Sequence, residues 1–204
     1  MATEAHAIGP THEEHHTSTG LSNIKMAMWA FLGSECLFFG ALISTYLIYS
    51  RPSRILPGTP MPADIYDIPY TSVSSFVLLM SSVTMVLALY AAQRGAIPRM
   101  RLWLLATATL GMTFIGGQIY EFTTFAHEGL TLSTSTFGTS FFVLTGFHGA
   151  HVTVGILMLL SLVGLSHVGR LEQRHAYKVE MIGLYWHFVD IVWVVIFTVV
   201  YLMT

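Results

Sequence analysis

Few residues in this chain could do chemistry, and most of them lie where a polar group is expensive. Glu35, Glu121 and Asp190 each fall inside a long apolar stretch. A charged side chain at mid-bilayer costs about 2.5–3.5 kcal/mol on insertion scales, so each acid needs a partner, a proton or a task. No apolar stretch contains Lys or Arg, so only a histidine could supply an opposite charge there. Glu35 stands ten residues after Lys25 in WAFLGSECLFF, which puts it ~15 Å into the membrane at 1.5 Å per residue. With nothing nearby in sequence to neutralise it, Glu35 is either a proton-exchanging, lipid-facing carboxyl or a neutral acid hydrogen-bonded to another helix.

The histidines carry the second pattern. TGFHGAHVTVG sets His148 and His151 three residues apart on one helix face, and Gly146, Gly149 and Gly155 would let a neighbouring backbone come close. EMIGLYWHFVDIVW sets Glu180, His187 and Asp190 at offsets of seven and three, again on one face, and GGQIYEF sets Gln118 three residues before Glu121. If the two polar faces meet, an HxxH opposite an HxxD could hold iron, zinc or haem. The same groups could instead hydrogen-bond between helices, with imidazoles satisfying the acids, and the spacing favours this. A carboxylate-bridged di-iron site would want Glu-x-x-His on two helices, which is missing. No Gly-x-Ser-x-Gly elbow points to a serine nucleophile.

The elements that position these residues follow from composition. Of the 204 residues, 53% are hydrophobic and 10% charged, with a mean hydropathy of +0.63, which describes a membrane protein. A net charge of -2 offers no basic surplus for nucleic acid. The single cysteine, Cys36, excludes an intrachain disulfide and any multi-thiolate metal centre. Five apolar runs, at about 26-49, 70-93, 102-124, 137-166 and 181-203, each approach or exceed the ~20 residues that cross ~30 Å of hydrocarbon. The expected fold is all-α, a polytopic bundle of five transmembrane helices over residues 25-204.

Residues 1-24 form a polar tail without the apolar core of a secretory signal. His6, His12, His15 and His16 lie there beside Glu4, Glu13 and Glu14, a cluster that could bind a metal or be a solvated tail. Residues 50-69 hold five of the seven prolines and must form an irregular loop. The other connections leave no room for an aqueous domain, which favours a subunit of something larger. No internal repeat or pair of broken helices suggests a two-half transporter.

These motifs resemble the signatures of subunit III of the haem-copper respiratory oxidases. WAFLGSECLFF, GGQIYEF, FFVLTGFHGAHVTVG and EMIGLYWHFVDIVWVVIFTVVYL occur in that family's order, from about Ile24 to the C-terminus. Five spans rather than the seven of the mitochondrial form resemble the shorter type of the bacterial plasma membrane. The resemblance implies a subunit with no metal or cofactor of its own, haem and copper being held by subunits I and II. It implies packing on subunit I, bound phospholipid, and membership of a larger respiratory supercomplex. It further implies a V-shaped, lipid-holding cleft that separates the first two helices from the rest. The acid of the SExxFF motif, matched by Glu35, is in that family reactive towards hydrophobic carbodiimides, as a protonated carboxyl open to lipid would be. His148, His151, Glu180, His187 and Asp190 match motif positions and carry over as a packing and proton-affecting network. Family members sustain proton uptake into subunit I and protect it from inactivation during turnover. The YWHFVDIVW wording leans towards the cytochrome c branch rather than the quinol branch. An independent proton-coupled transporter, or a metalloenzyme built on His148, His151 and His187, are the competing readings.

Orientation follows from Lys and Arg near the span ends. Lys25, Arg94, Arg99, Arg101, Arg170, Arg174 and Lys178 fall on one side, and only Arg51 and Arg54 on the other. The positive-inside rule places the N-terminus in the cytoplasm and the C-terminus outside. A membrane-impermeant maleimide should therefore leave an Arg174→Cys chain unlabelled in intact cells and label it after permeabilisation; labelling from outside reverses the assignment.

Overall fold

The computed structural model describes residues 23–50, 68–133 and 135–203. The histidine-rich tail and most of the proline-rich first loop, with Arg51 and Arg54, lie outside the described residues. Among the described residues, five helices are long and apolar enough to span a membrane: α1 (Asn23–Tyr49), α2 (Ile68–Gln93), α3 (Ile97–His127), α4 (Thr136–His167) and α5 (Ala176–Phe197). A 3-10 turn (Gln173–His175) leads into α5, which continues as a π-helical turn over Thr198–Leu202. Among the described residues there is no strand.

The helices are longer than the apolar runs, chiefly at their N-terminal ends. Pro98 sits in the first turn of α3, where its missing N–H leaves no bond unmade. Arg99 and Arg101 therefore belong to the helix rather than to a loop, as do Lys25 in α1 and Lys178 in α5. Arg101 donates from Nε to Ser166 Oγ and from Nη2 to the Ser166 carbonyl, placing a cation at the negative end of α4. Gly95 (φ +68) turns the chain between α2 and α3, which then pack along their lengths. The Ser135 hydroxyl caps α4 by accepting the Gly138 N–H at 3.0 Å.

α2 packs on α3 and α5, α3 on α4, and α4 on α5, while α1 rests chiefly on α4 and α5. On α1 only Leu32, Phe39 and Tyr46 are buried, spaced seven residues apart, so its contact is a single narrow seam. This corrects the expected cleft. α2 is not set apart from the rest of the bundle, because its hydroxyl and small residues Thr71, Ser75, Ser81, Ala88, Ala91 and Ala92 are buried against its neighbours. The helix at the edge is α1 alone.

At the centre stands Trp186 of α5, 1% exposed. Its ring fills the space above two glycines on different helices. A Cβ on Gly111 of α3 would lie 2.7 Å from the ring and one on Gly155 of α4 2.8 Å. Its indole N–H donates to Ser81 Oγ of α2 at 2.9 Å, so one side chain joins four helices. Gly155 thus admits a ring rather than the neighbouring backbone expected of it. Filling that space should cost about 1–3 kcal/mol or more, as overpacking in a close-packed interior does. Gly155→Leu should accordingly lower the thermal midpoint of the detergent-solubilised protein, whereas Gly164→Leu, where a Cβ would meet nothing within 4 Å, should leave it nearly unchanged.

Candidate functional site

Glu35 lies on the inner seam of α1, between Leu32 and Phe39 at offsets of three and four, and faces α4. His151 meets it there. Its Nε2 is 3.2 Å from Glu35 Oε2, and each side chain is 19% exposed. The cation or donor that sequence did not place beside Glu35 is supplied by a helix more than a hundred residues later. The protonation of the contact follows from the other ring nitrogen: His151 Nδ1 is 2.7 Å from the Phe147 carbonyl, which can only accept, so Nδ1 carries a hydrogen. The Glu35–His151 contact then holds one proton, either on the carboxyl with a neutral imidazole or on the imidazolium with a carboxylate. Both states are neutral overall, as the hydrocarbon requires.

The pair opens onto a groove of about 480 Å³ between α1 and α4, lined mainly by Met28, Phe31, Phe147, Val154, Met158 and Tyr185. Tyr185 stacks near Phe31 with centroids 6.3 Å apart and donates its hydroxyl to the His151 carbonyl at 3.1 Å. The groove is therefore apolar along its walls with one polar spot. A second apolar hollow, reaching Ile24, Tyr177 and Lys178 near the end of the helices, shares Met158 with it.

His148 does not join His151 in this work. It is wholly buried, stacked on Trp193 at 4.8 Å between centroids and met edge-on by Phe114 at 5.9 Å. Neither ring nitrogen has a hydrogen-bond partner among the described residues. Three residues of helix rotate the two imidazoles about 60° apart, enough to send one to α1 and the other into the aromatic core.

The HxxD motif turns the other way. Ser82 of α2 donates to Asp190 Oδ2 at 2.6 Å and lies 3.0 Å from His187 Nδ1. Glu180, two turns earlier, pairs instead with Lys25 at 2.7 Å. The two polar faces therefore do not meet: among the described residues no hydrogen bond or ion pair joins His148 or His151 to His187, Asp190 or Glu180, and no three His, Cys, Asp or Glu side chains are grouped to hold an ion. α2, which lacks any charge and had no assigned role, provides the intervening serine.

The third acid is also shared between helices. Glu121 Oε1 accepts from Thr71 of α2 at 2.7 Å and from Tyr201 of α5 at 3.0 Å. Gln118 donates to the Thr145 carbonyl of α4 at 2.8 Å and lays its amide across Gly149, where a Cβ would lie 2.5 Å from Oε1. At Gly146 a Cβ would meet nothing within 4 Å, so no helix closes on it. Thr71, Ser82 and Tyr201 were missed by sequence reasoning. The signal for the two α2 residues is the recurrence of Thr71, Ser75 and Ser82 at offsets of four and seven in an otherwise apolar run, and no comparable signal marks Tyr201.

Comparison with known proteins agrees with this arrangement of a polytopic subunit. The sequence matches the family described as Cytochrome c oxidase subunit III over residues 4–204. It is 38% identical over 200 residues to a cytochrome bo(3) ubiquinol oxidase subunit 3 of Pseudomonas aeruginosa, covering 98% of this chain and 93% of that one. It is 38% identical over 194 residues to a cytochrome c oxidase subunit 3 of Bacillus sp. strain PS3, covering 95% and 92%. A quinol oxidase subunit 3 of Bacillus spizizenii is also 38% identical, over 191 residues, covering 93% and 91%. Identity gives no preference between the cytochrome c and quinol branches, and the transporter and metalloenzyme readings gain no support. With the match running through all five spans and every motif described above, the chain belongs to the cytochrome c oxidase subunit III family.

Proposed function

We propose that this chain is the accessory third subunit of a proton-pumping haem-copper terminal oxidase, packed on subunit I of an assembly that includes subunit II, in a bacterial plasma membrane with its N-terminus in the cytoplasm. Haem and copper belong to the partner subunits. This chain holds phospholipid in the α1–α4 groove, stabilises subunit I and helps sustain its proton uptake. The observation that carries the reading is the groove itself: an apolar channel along two membrane helices, about 480 Å³ in volume, with the Glu35–His151 pair in its wall. That volume is within the range of small-molecule sites, and an acyl chain suits its lining. The electron donor is received elsewhere in the complex, consistent with equal similarity to subunits named for either donor.

Gentle solubilisation followed by affinity purification on this chain should bring down a complex with haem absorption; a purified chain without haem-bearing partners contradicts the proposal. Within that complex, Ala150→Trp, which fills the groove from an exposed position, should lower the phospholipid retained per haem while leaving the haem spectrum unchanged.

Glu35→Gln should be tolerated, because the amide can donate to His151 Nε2 and keeps the contact neutral. His151→Leu removes the partner of a largely buried carboxyl and should cost about 1–3 kcal/mol in the denaturation of the solubilised complex. Equal loss in both variants would show that the carboxyl itself, rather than the neutral pair, is what the site needs.

A further inference from the structure

Among the described residues, His187 is the one membrane-embedded imidazole that faces outward with half of its hydrogen bonding unmet. It stands fourteen residues from Gln173 and fifteen from Leu202, the ends of its span, so it lies ~21–22 Å from each end at 1.5 Å per residue. The side chain is half-buried. One turn away on each side of it lie Leu184 and Ile191 of α5, and beside Ser82 on α2 lie Leu79 and Val86; Ile191 is 63% and Val86 54% exposed. The surface here is apolar except for this ring.

The inner contacts fix what the ring offers outward. The Ser82 hydroxyl has a single hydrogen, which it donates to Asp190 Oδ2. At 3.0 Å from Ser82 Oγ, His187 Nδ1 must then be the donor of the second bond, which leaves Nε2 of a neutral imidazole as a bare acceptor. Among the described residues nothing donates to it. Lipid tails have no donor, and headgroups lie at the membrane surfaces, half a bilayer away. Glu35 and His151, at similar depth, satisfy each other and pose no such demand.

We infer that the α2/α5 face centred on His187 is a docking surface for a transmembrane helix of a partner oxidase subunit, and that this helix presents an N–H or O–H donor to His187 Nε2. The inference rests on the reading of the chain as an oxidase subunit and adds the face and the chemistry of contact. The donor class is that of a Ser, Thr, Tyr, Trp, Asn, Gln, Lys or Arg side chain, set among apolar residues that pack on Leu79, Val86, Leu184 and Ile191.

Three variants separate the inner bond from the outer one in the native complex. His187→Gln places an amide oxygen near the position of Nε2 and keeps an outward acceptor. His187→Asn places its amide near Nδ1, keeping the bond to Ser82 and losing the outward acceptor, and His187→Leu loses both. The measurement is the fraction of this chain retained when the complex is purified through a tag on a haem-bearing subunit under increasing detergent. The Gln variant should be retained like the unaltered chain. The Asn and Leu variants should dissociate about threefold to tenfold more readily, the range expected for one interhelical hydrogen bond in a membrane. Retention of all three, or loss of the Gln variant along with the others, overturns the inference. If the unaltered chain itself fails to copurify, the subunit reading fails instead. A photo-crosslinking residue at position 191, with His187 intact, gives an independent result: adducts with another oxidase subunit support the docking face, whereas adducts only with lipid or with a second copy of this chain overturn it.

Discussion

The architecture depends on how a membrane helix carries an acid when no cation lies within reach along its own length. In hydrocarbon a polar group that finds no partner in the protein has no water to fall back on. Each of the three acids is therefore bonded to a different helix: Glu35 joins α1 to α4 through His151, Asp190 joins α5 to α2 through Ser82, and Glu121 joins α3 to both α2 and α5 through Thr71 and Tyr201. These bonds cannot be exchanged for others by sliding or rotating a helix. Apolar faces alone would fix register weakly, because lipid is as apolar as leucine. The acids contribute specificity of assembly as much as chemistry.

Between these polar points the helices approach through size complementarity. The two buried tryptophans of α5 show how the two effects combine. Trp186 fits over Gly111 and Gly155 and donates to Ser81, while Trp193 donates to Ser75 at 2.9 Å and presents its face to His148 and its neighbourhood to Phe114. Both indole N–H groups thus end on α2 serines, and an apolar-looking helix supplies hydroxyl partners, accepting from the tryptophans and donating to the acids, to the rest of the bundle. α1 takes no part in this. It is attached by one seam, the Glu35–His151 pair and the Lys25–Glu180 ion pair, an arrangement that leaves the apolar groove open between α1 and α4.

The five spans were legible because hydrophobic length is set by bilayer thickness, and hydropathy reports it directly. Their ends were less so: Lys25, Arg99, Arg101 and Lys178 lie inside helices that extend past the hydrocarbon, where charges no longer carry a penalty. The acids and histidines could be picked out because such residues are costly in a span. Their pairing could not. His148 and His151 share a face in sequence, but which neighbour each meets depends on the positions of α1, α3 and α5 around α4, and that is decided by packing. The expectation that HxxH would face HxxD failed for this reason. Ser82 and Thr71 escaped notice because a serine or threonine in a membrane helix ordinarily satisfies itself by donating to the carbonyl one turn back, as Ser72 and Thr109 do here.

The separation of the polar clusters also bears on what this chain does within a complex. A proton relay needs donors and acceptors in continuous hydrogen-bonding reach. Here Glu35–His151 and Asp190–Ser82–His187 share no hydrogen bond with each other, and the imidazole lying in the core, His148, is enclosed by Trp193, Phe114 and Phe39 and bonds to neither cluster. Phe39 and Phe188, with centroids 6.5 Å apart, continue that aromatic wall between α1 and α5. Of these groups the Glu35–His151 pair and the His187 ring lie at the margins of the bundle, the pair towards the groove and the ring towards an uncovered helix face. Groups placed in this way face the surroundings of the subunit rather than a path through its interior, which fits the accessory role proposed for it.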